Sequence, residues 1–310
     1  MSDANRPVGL PTGLKERLFV VTDRIARRPT GQRWLTKAIE VSLTSLGAGN
    51  HDYSGDRTGE NRLISAIAWV IPQFSALDVG ANQGAWTLEV LARSPGSRVV
   101  AVEPGSQAGR VLQERLGSEG SAIVVPVAVG NREGSARLYG TAREGDLASL
   151  MPDLLRRTTF EGADPEASSE DVTIWTLEHL VEFAHASGLF PEQRIDVVKV
   201  DTEGFELEII RQVVTHSSFT TVQMVQFEFN MHAIAQGQMI DDFIAVMGND
   251  FEYFRLAPRA LVPRGSMGAN LANYFGFSNW VALRREIAPR VRAAYLTADP
   301  RMRRPPEWRS

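Results

Sequence analysis

SALDVGANQGAWTLEVLA, residues 75–92, opens as an apolar strand, breaks on glycines and small polar residues, and restarts at helical spacing. The strand ends on Leu77-Asp78-Val79, the turn is Gly80-Ala81-Asn82-Gln83-Gly84, and a helix follows from Ala85. A glycine-rich turn at this point lets the backbone approach a ligand closely and aims helix N-terminal amides at it. A phosphate-loop nucleotide site needs a lysine and a hydroxyl residue after its last glycine, and Gly84-Ala85-Trp86 supplies neither. A dinucleotide fingerprint needs its second and third glycines where Asn82 and Ala85 stand.

The third class of ligand for such a turn is S-adenosylmethionine, and the charges suit it. Asp78 at a strand tip would repel a pyrophosphate but is tolerable beside an ammonium and a sulfonium. The next strand, RVVAVEP (98–104), ends on Glu103, where a carboxylate can accept both hydrogen bonds of a ribose diol. That feature fits NAD equally, so an NAD-dependent oxidoreductase stays open as an alternative. The opposing structural reading, in which these acids cap helices or pair with arginines, is weakened by the agreement of strand, turn, helix and second-strand acid in one order.

Outward from this unit the hydrophobic period alternates between strand and helix, the pattern of a mostly parallel sheet covered on both faces. Strand-like runs fall at 74–79, 98–102, 122–128, 195–200, 222–228 and 280–283, with helix-like runs at 85–92, 107–116, 177–186, 205–216 and 240–247. The run IDVVKV (195–200) is apolar nearly throughout, as a strand buried on both faces should be. Residues 12–46 read as two helices, GAGNHDYSGDRTG (47–59) as a polar loop, and 60–71 as a helix stopped by Pro72. The polar interval 140–171, containing GADPEASSED, reads as a mobile loop that shapes a binding site.

IDVVKVDTEGFELEII (195–210) and VQMVQFEFNMH (222–232) carry the second set of candidates. Side chains alternate along a strand, so Lys199 and Asp201 point to one side and Glu203 follows in the loop. Gln226, Glu228 and Asn230 take one face of the next strand, and His232 lies just beyond. Charges at the carboxyl ends of adjacent strands, where ligands of open α/β sheets sit, converge on one pocket. Asp201 is the first candidate for orienting or deprotonating an acceptor, with Glu228 and Glu203 next and His232 as an alternative base. A hard, oxygen-ligated cation such as Mg²⁺ at Asp201 and Glu228 is chemically reasonable, although no spacing rule specifies it. The competing reading of Lys199–Asp201 is an ion pair that braces the strand end.

Composition bounds these readings. The 310 residues, 43% apolar and 23% charged, describe an ordinary globular chain of one large domain with appendages. Zero cysteines remove disulfides, thiolate nucleophiles and thiolate-metal centres. No stretch approaches the roughly 20 apolar residues that cross a bilayer, and 1–10 lacks a secretion signal, so a cytoplasmic location is expected. A net charge of −4 disfavours a nucleic-acid partner. Residues 284–310 carry eight arginines against three acids, a local +5 that reads as a solvated helix at 289–296 followed by a proline-rich end.

In series, Gly59-Glu60, LDVGANQG (77–84), VVAVEP (99–104), VPVAVGNREGSARLY (125–139), VTIWTLEHL (172–180), VKVDTEGFELEII (198–210) and QFEFN (226–230) resemble the FkbM family of S-adenosylmethionine-dependent methyltransferases. The resemblance implies a Rossmann-like class I α/β fold, with a seven-stranded, mostly parallel sheet of order 3-2-1-4-5-7-6, its last strand antiparallel and helices on both faces. By the same resemblance, Asp78, Gly80, Ala81, Asn82, Gly84 and Trp86 would lie along the methionine side of the cofactor, Glu103 with Pro104 at the ribose, and Ala128 beside the adenine. It implies O-methylation of a small-molecule or glycan hydroxyl, leaves a homo-oligomer and a non-catalytic cofactor-binding scaffold open, and divides the chain into a helical extension (1–58), a methyltransferase domain (59–285) and a basic tail (286–310).

Overall fold

The computed structural model describes residues 12–48, 55–117, 120–140, 148–151, 168–190, 194–274 and 276–298. Its centre is an eight-stranded sheet built from β1 (Ser75–Val79), β2 (Arg98–Val102), β3 (Ala122–Val125), β7 (Val197–Val200), β8 (Met224–Phe229), β9 (Phe251–Ala257), β10 (Ala260–Pro263) and β11 (Ser278–Arg284), in the order β10-β9-β11-β8-β7-β1-β2-β3. Read from the other edge, the first seven strands give the expected order 3-2-1-4-5-7-6. The strands from β3 to β8 are parallel, and β11 runs antiparallel to both β8 and β9. The eighth strand, β10, is the return arm of a hairpin with β9.

The apolar strands bury both faces because helices cover both. Leu77, Val79, Val100, Val198, Val200 and Phe227 enter one core. The intervening Ala76, Val99, Ala101, Val197 and Met224 enter the other, beneath α4 (Glu60–Val70), α5 (Ala85–Arg93) and α12 (Ala288–Thr297). This alternation places Asp78, Lys199 and Gln226 on the second face, and they occupy the same register position on three neighbouring strands.

Two sequence expectations need correction. The single strand expected at 122–128 divides: β3 ends at Val125 and β4 (Ala128–Gly130) leaves for a separate three-stranded sheet, order β4-β6-β5, with β5 (Gly134–Tyr139) and β6 (Ser169–Thr176). Pro126 has no N–H to continue the first ladder. Within the loop expected at 47–59, Gly55–Thr58 is a short helix. Much of the loop expected at 140–171, and the chain beyond 298, lies outside the described residues. The two N-terminal helices are present as α1 (Thr12–Ala26) and α2 (Pro29–Ser45), and they pack on each other. Among the described residues no helix is long and apolar enough to cross a membrane.

Candidate active site

The turn after β1 is shaped by contact with its neighbours on both sides. The amides of Gly80 and Ala81 donate to the Val102 carbonyl at 2.9 and 3.0 Å, fastening the turn to the end of β2. Gly80 has φ of +80°, and a Cβ there would lie 1.7 Å from the Asp201 carbonyl oxygen, so only glycine lets the β1 and β7 loops meet. Asn82 also has a left-handed backbone, with φ of 47°. Its amide donates to Glu103 Oε2 at 2.8 Å, while the Gly105 amide donates to Glu103 Oε1 at 2.7 Å. Each Glu103 oxygen therefore keeps a second lone-pair direction for a ligand. Burial outweighs these two hydrogen bonds and raises the Glu103 carboxyl to about 7.

A cavity of about 440 Å³ opens along the carboxyl ends of the strands. On the β2–β3 side it is lined by Glu103, Pro104, Val127, Ala128 and Leu138, and at the turn by Gly80, Ala81, Asn82 and Trp86. On the β7–β8 side Lys199, Asp201, Glu203, Phe205 and Glu228 line it. Of the residues the sequence nominates for the cofactor, Asp78 and Gly84 do not reach this surface. Gly84 instead packs tightly under α6 (Ser106–Leu116), where a Cβ would stand 2.2 Å from Leu112 Cδ1. Asp78 is fully buried on the opposite face of β1 from Val79 and accepts a 2.6 Å hydrogen bond from the Thr87 hydroxyl.

The burial of Asp78 is made tolerable by Lys199. Its ammonium lies 3.4 Å from Asp78 Oδ1 and 3.1 Å from Asp201 Oδ2, so one cation joins the carboxylate beneath the turn to the carboxylate in the cavity wall. Burial alone would lower the lysine, but Asp201, Asp78 and Glu60 together outweigh it and hold the ammonium charged. Gln226 completes the row. Its amide nitrogen donates to Glu60 Oε1 at 2.7 Å and its carbonyl accepts from Trp86 Nε1 at 3.3 Å. A polar chain thus runs from the start of α4 through β8 to the indole in the cavity wall. Glu60 and Gln226 were not singled out as site residues from the sequence, because 166 positions separate them and they meet only where the start of α4 reaches β8.

Beyond Asp201 the acids gather. One carboxylate oxygen from each of Asp201, Glu203 and Glu228 lies within 4.8 Å of the others. Asn230 donates to Glu228 Oε2 at 2.7 Å and to Glu203 Oε2 at 3.2 Å, bracing the pair. His232 Nδ1 stands 2.8 Å from the same Glu203 oxygen, but the imidazole is 1% exposed and does not line the cavity. His232 is therefore placed behind Glu203, where it can act only through that carboxylate. Glu203 has φ of 54°, a conformation rare outside glycine, and its carbonyl is held by the Ser149 hydroxyl at 2.8 Å. Burial raises Glu203 to about 7 against the opposing pull of His232, and burial reinforced by Asp201 and Glu203 raises Glu228 well above the usual carboxylate range. Glu206, at the start of α8 (Glu206–Thr215), is raised by burial as well, while it accepts from the Thr202 and Gly204 amides.

The sequence from 78 to 254, more than half of the chain, matches the model of the methyltransferase FkbM domain. No curated protein matches the chain. Solved structures similar to it include a TehB-like S-adenosylmethionine-dependent methyltransferase from Corynebacterium glutamicum, at 16% identity over 86% of this chain and 99% of that one, TM-score 0.38. A protein from Agrobacterium tumefaciens described as a predicted O-methyltransferase is 14% identical over 73% of this chain and 80% of its own, TM-score 0.38. The plantazolicin methyltransferase BpumL, solved with S-adenosylhomocysteine, is 10% identical over 88% of this chain and all of its own, TM-score 0.39.

Proposed function

The chain belongs to the FkbM family of S-adenosylmethionine-dependent methyltransferases, and from that premise we propose that it methylates a hydroxyl of a sugar or natural-product acceptor. The observation that carries this reading is the continuity of one cavity from Glu103 and Ala128, past Gly80 and Asn82, to Asp201, Glu203 and Glu228. Donor and acceptor can share it. The family membership answers the NAD-dependent alternative, and the turn agrees, since Asn82 and Ala85 stand where a dinucleotide fingerprint needs glycine.

The residues present fit the methyl donor. Glu103 keeps lone pairs for a ribose diol, Val127, Ala128 and Leu138 offer an apolar wall for a base, and the acidic lining suits a ligand with positive charge. When bound, S-adenosylmethionine supplies an electrophilic methyl group on a sulfonium, and the thioether that leaves needs no acid assistance. The protein therefore has to align the acceptor, exclude water and take one proton from a hydroxyl. Asp201, oriented by Lys199 at 3.1 Å, is the carboxylate we assign to holding that hydroxyl. Glu203, raised to about 7 and backed by His232, is poised to receive the proton near neutral pH. Glu228, which burial and the neighbouring acids raise well above the usual carboxylate range, stands beside them in the cavity wall.

A hard divalent cation such as Mg²⁺ also matches this donor set, which is entirely carboxylate oxygen. Asp201 and Glu228, with Glu203 beside them, would hold it, and it would lower the pKa of an acceptor hydroxyl. The same acidic lining disfavours a phosphate-backbone acceptor. Asp201→Asn tests the assignment: turnover is expected to vanish while donor affinity, measured by calorimetry, stays within about threefold of the parent. Parallel loss of affinity and turnover would remove Asp201 from the acceptor role, and titration of the protein with MgCl₂, read as heat and proton release, decides the metal.

A further inference from the structure

Among the described residues, the two N-terminal helices are a large feature that the cavity and its chemistry leave unused. Their apolar side chains are not covered. On α1, Leu14, Leu18, Val21 and Ile25 recur at helical spacing and are all exposed, and Phe19 is 72% exposed. On α2 no residue is buried, and Trp34 and Ile39 are 76% and 60% exposed. At 100° per residue, Val41, Trp34, Leu35, Ile39 and Leu43 sweep about 200° of the α2 circumference, while Arg33, Lys37 and Glu40 share the remaining arc. One neighbouring helix cannot cover an arc so wide.

The charge says what can. Residues 12–46 carry seven basic side chains against Glu16, Asp23 and Glu40, a local +4 in a chain whose total is −4. Asp23 and Glu40 are already paired with Arg27 and Lys37. A second identical hairpin packed face to face would bring +4 against +4 and be repelled. A surface that accepts aromatic and aliphatic side chains at its boundary and attracts cations is an anionic lipid bilayer. We propose that α1 and α2 form an amphipathic hairpin that lies in the interface of an anionic membrane, holding the catalytic body as a peripheral protein. The proposal stands on the hairpin alone and is independent of the cavity's chemistry.

The test is co-sedimentation of the full-length protein with vesicles of phosphatidylcholine alone and of phosphatidylcholine containing about one third phosphatidylglycerol. The expected result is partitioning on the order of tenfold or more in favour of the anionic vesicles, weakened by high salt. A Phe19→Asp/Trp34→Asp/Ile39→Asp variant, altered only at exposed positions, should lose it while keeping the far-UV circular dichroism, the Tm and the donor affinity of the parent. Equal or negligible binding to both vesicle types overturns the proposal. So does a dimer seen by light scattering that the triple variant dissolves, since the hairpin would then be covered by a second copy of the chain.

Discussion

Replacing Lys199 by methionine keeps the stem of the side chain and deletes the charge that joins Asp78 to Asp201. At an effective dielectric of about 20, contacts of 3.1 and 3.4 Å are each worth roughly 5 kcal/mol in gross Coulomb attraction. Desolvation of the ammonium offsets much of this in the parent, but removing one partner strands the buried acids, and such losses run at about 3–5 kcal/mol. The loss must depend on pH. Glu60 is raised by burial and held down chiefly by Lys199, so without the lysine the cluster binds protons more readily. Proton uptake relieves the repulsion, and the destabilisation should shrink as pH falls. Urea unfolding at about pH 8 and about pH 5.5 measures both values, with the larger loss expected at the higher pH. Adding Asp78→Asn to Lys199→Met should recover a substantial part of the loss at the higher pH, because Asp78 has no exposure through which to hydrate a stranded charge. A loss below about 1 kcal/mol, or one equal at both pH values, would refute the view that this lysine is the neutralising centre of the site.

Gly80→Ala forces a Cβ to within 1.7 Å of the Asp201 carbonyl at a φ of +80°, so donor binding should be abolished and stability should drop by several kcal/mol, roughly 3 or more, by thermal and chemical melts. Glu60, Glu103, Glu203, Glu206 and Glu228 all have carboxyls raised by burial, so the folded state holds protons that the unfolded state releases. The stability these groups confer is complete below the unfolded carboxylate range and is lost as pH rises through their folded values. The Tm of the ligand-free protein should therefore fall between about pH 5 and pH 8, by as much as about 3 kcal/mol of stability for Glu103 alone, and Glu103→Gln should flatten the slope. Donor affinity should move the opposite way, rising with pH through about 7 as Glu103 becomes a full acceptor, and calorimetric titration across that range reads it directly. Arg255, fully buried on β9, donates to the Leu46 carbonyl at 2.8 Å and the Leu271 carbonyl at 2.7 Å; Arg255→Leu should cost about 2–4 kcal/mol and speed proteolysis between residues 12 and 46, because it orphans the Leu46 carbonyl that fastens the end of α2.

The part of the fold that could be read in sequence is the part whose strands are buried on both faces. VVKV and VVAV need no alternation to be recognised, and the glycine turn between β1 and α5 announces its own geometry. Strands with one wet face were less legible. β5 and β6 mix exposed and buried positions irregularly, and in β9 the sequence FEYFRLA hides a buried arginine among apolar neighbours. In the site, Asp201, Glu203 and Glu228 could be placed together because each ends a strand or follows one. Asp78 was legible as a charge at the strand tip, but its complete burial was not. It is enclosed by the Thr87 hydroxyl and the Lys199 ammonium, and Lys199 rather than Asp78 reaches the cavity wall. The Glu60–Gln226–Trp86 chain has no local signature at all, since its three members come from α4, β8 and α5.

Equilibrium dialysis of the purified full-length protein against labelled S-adenosylmethionine tests the central claim, that the cavity between Glu103 and Asp201 is the seat of the methyl donor. Saturable binding of one donor per chain, displaced by S-adenosylhomocysteine, untouched by NAD and lost in Glu103→Ala, is the expected result. Absence of saturable uptake, or uptake that Glu103→Ala leaves unchanged, would contradict it.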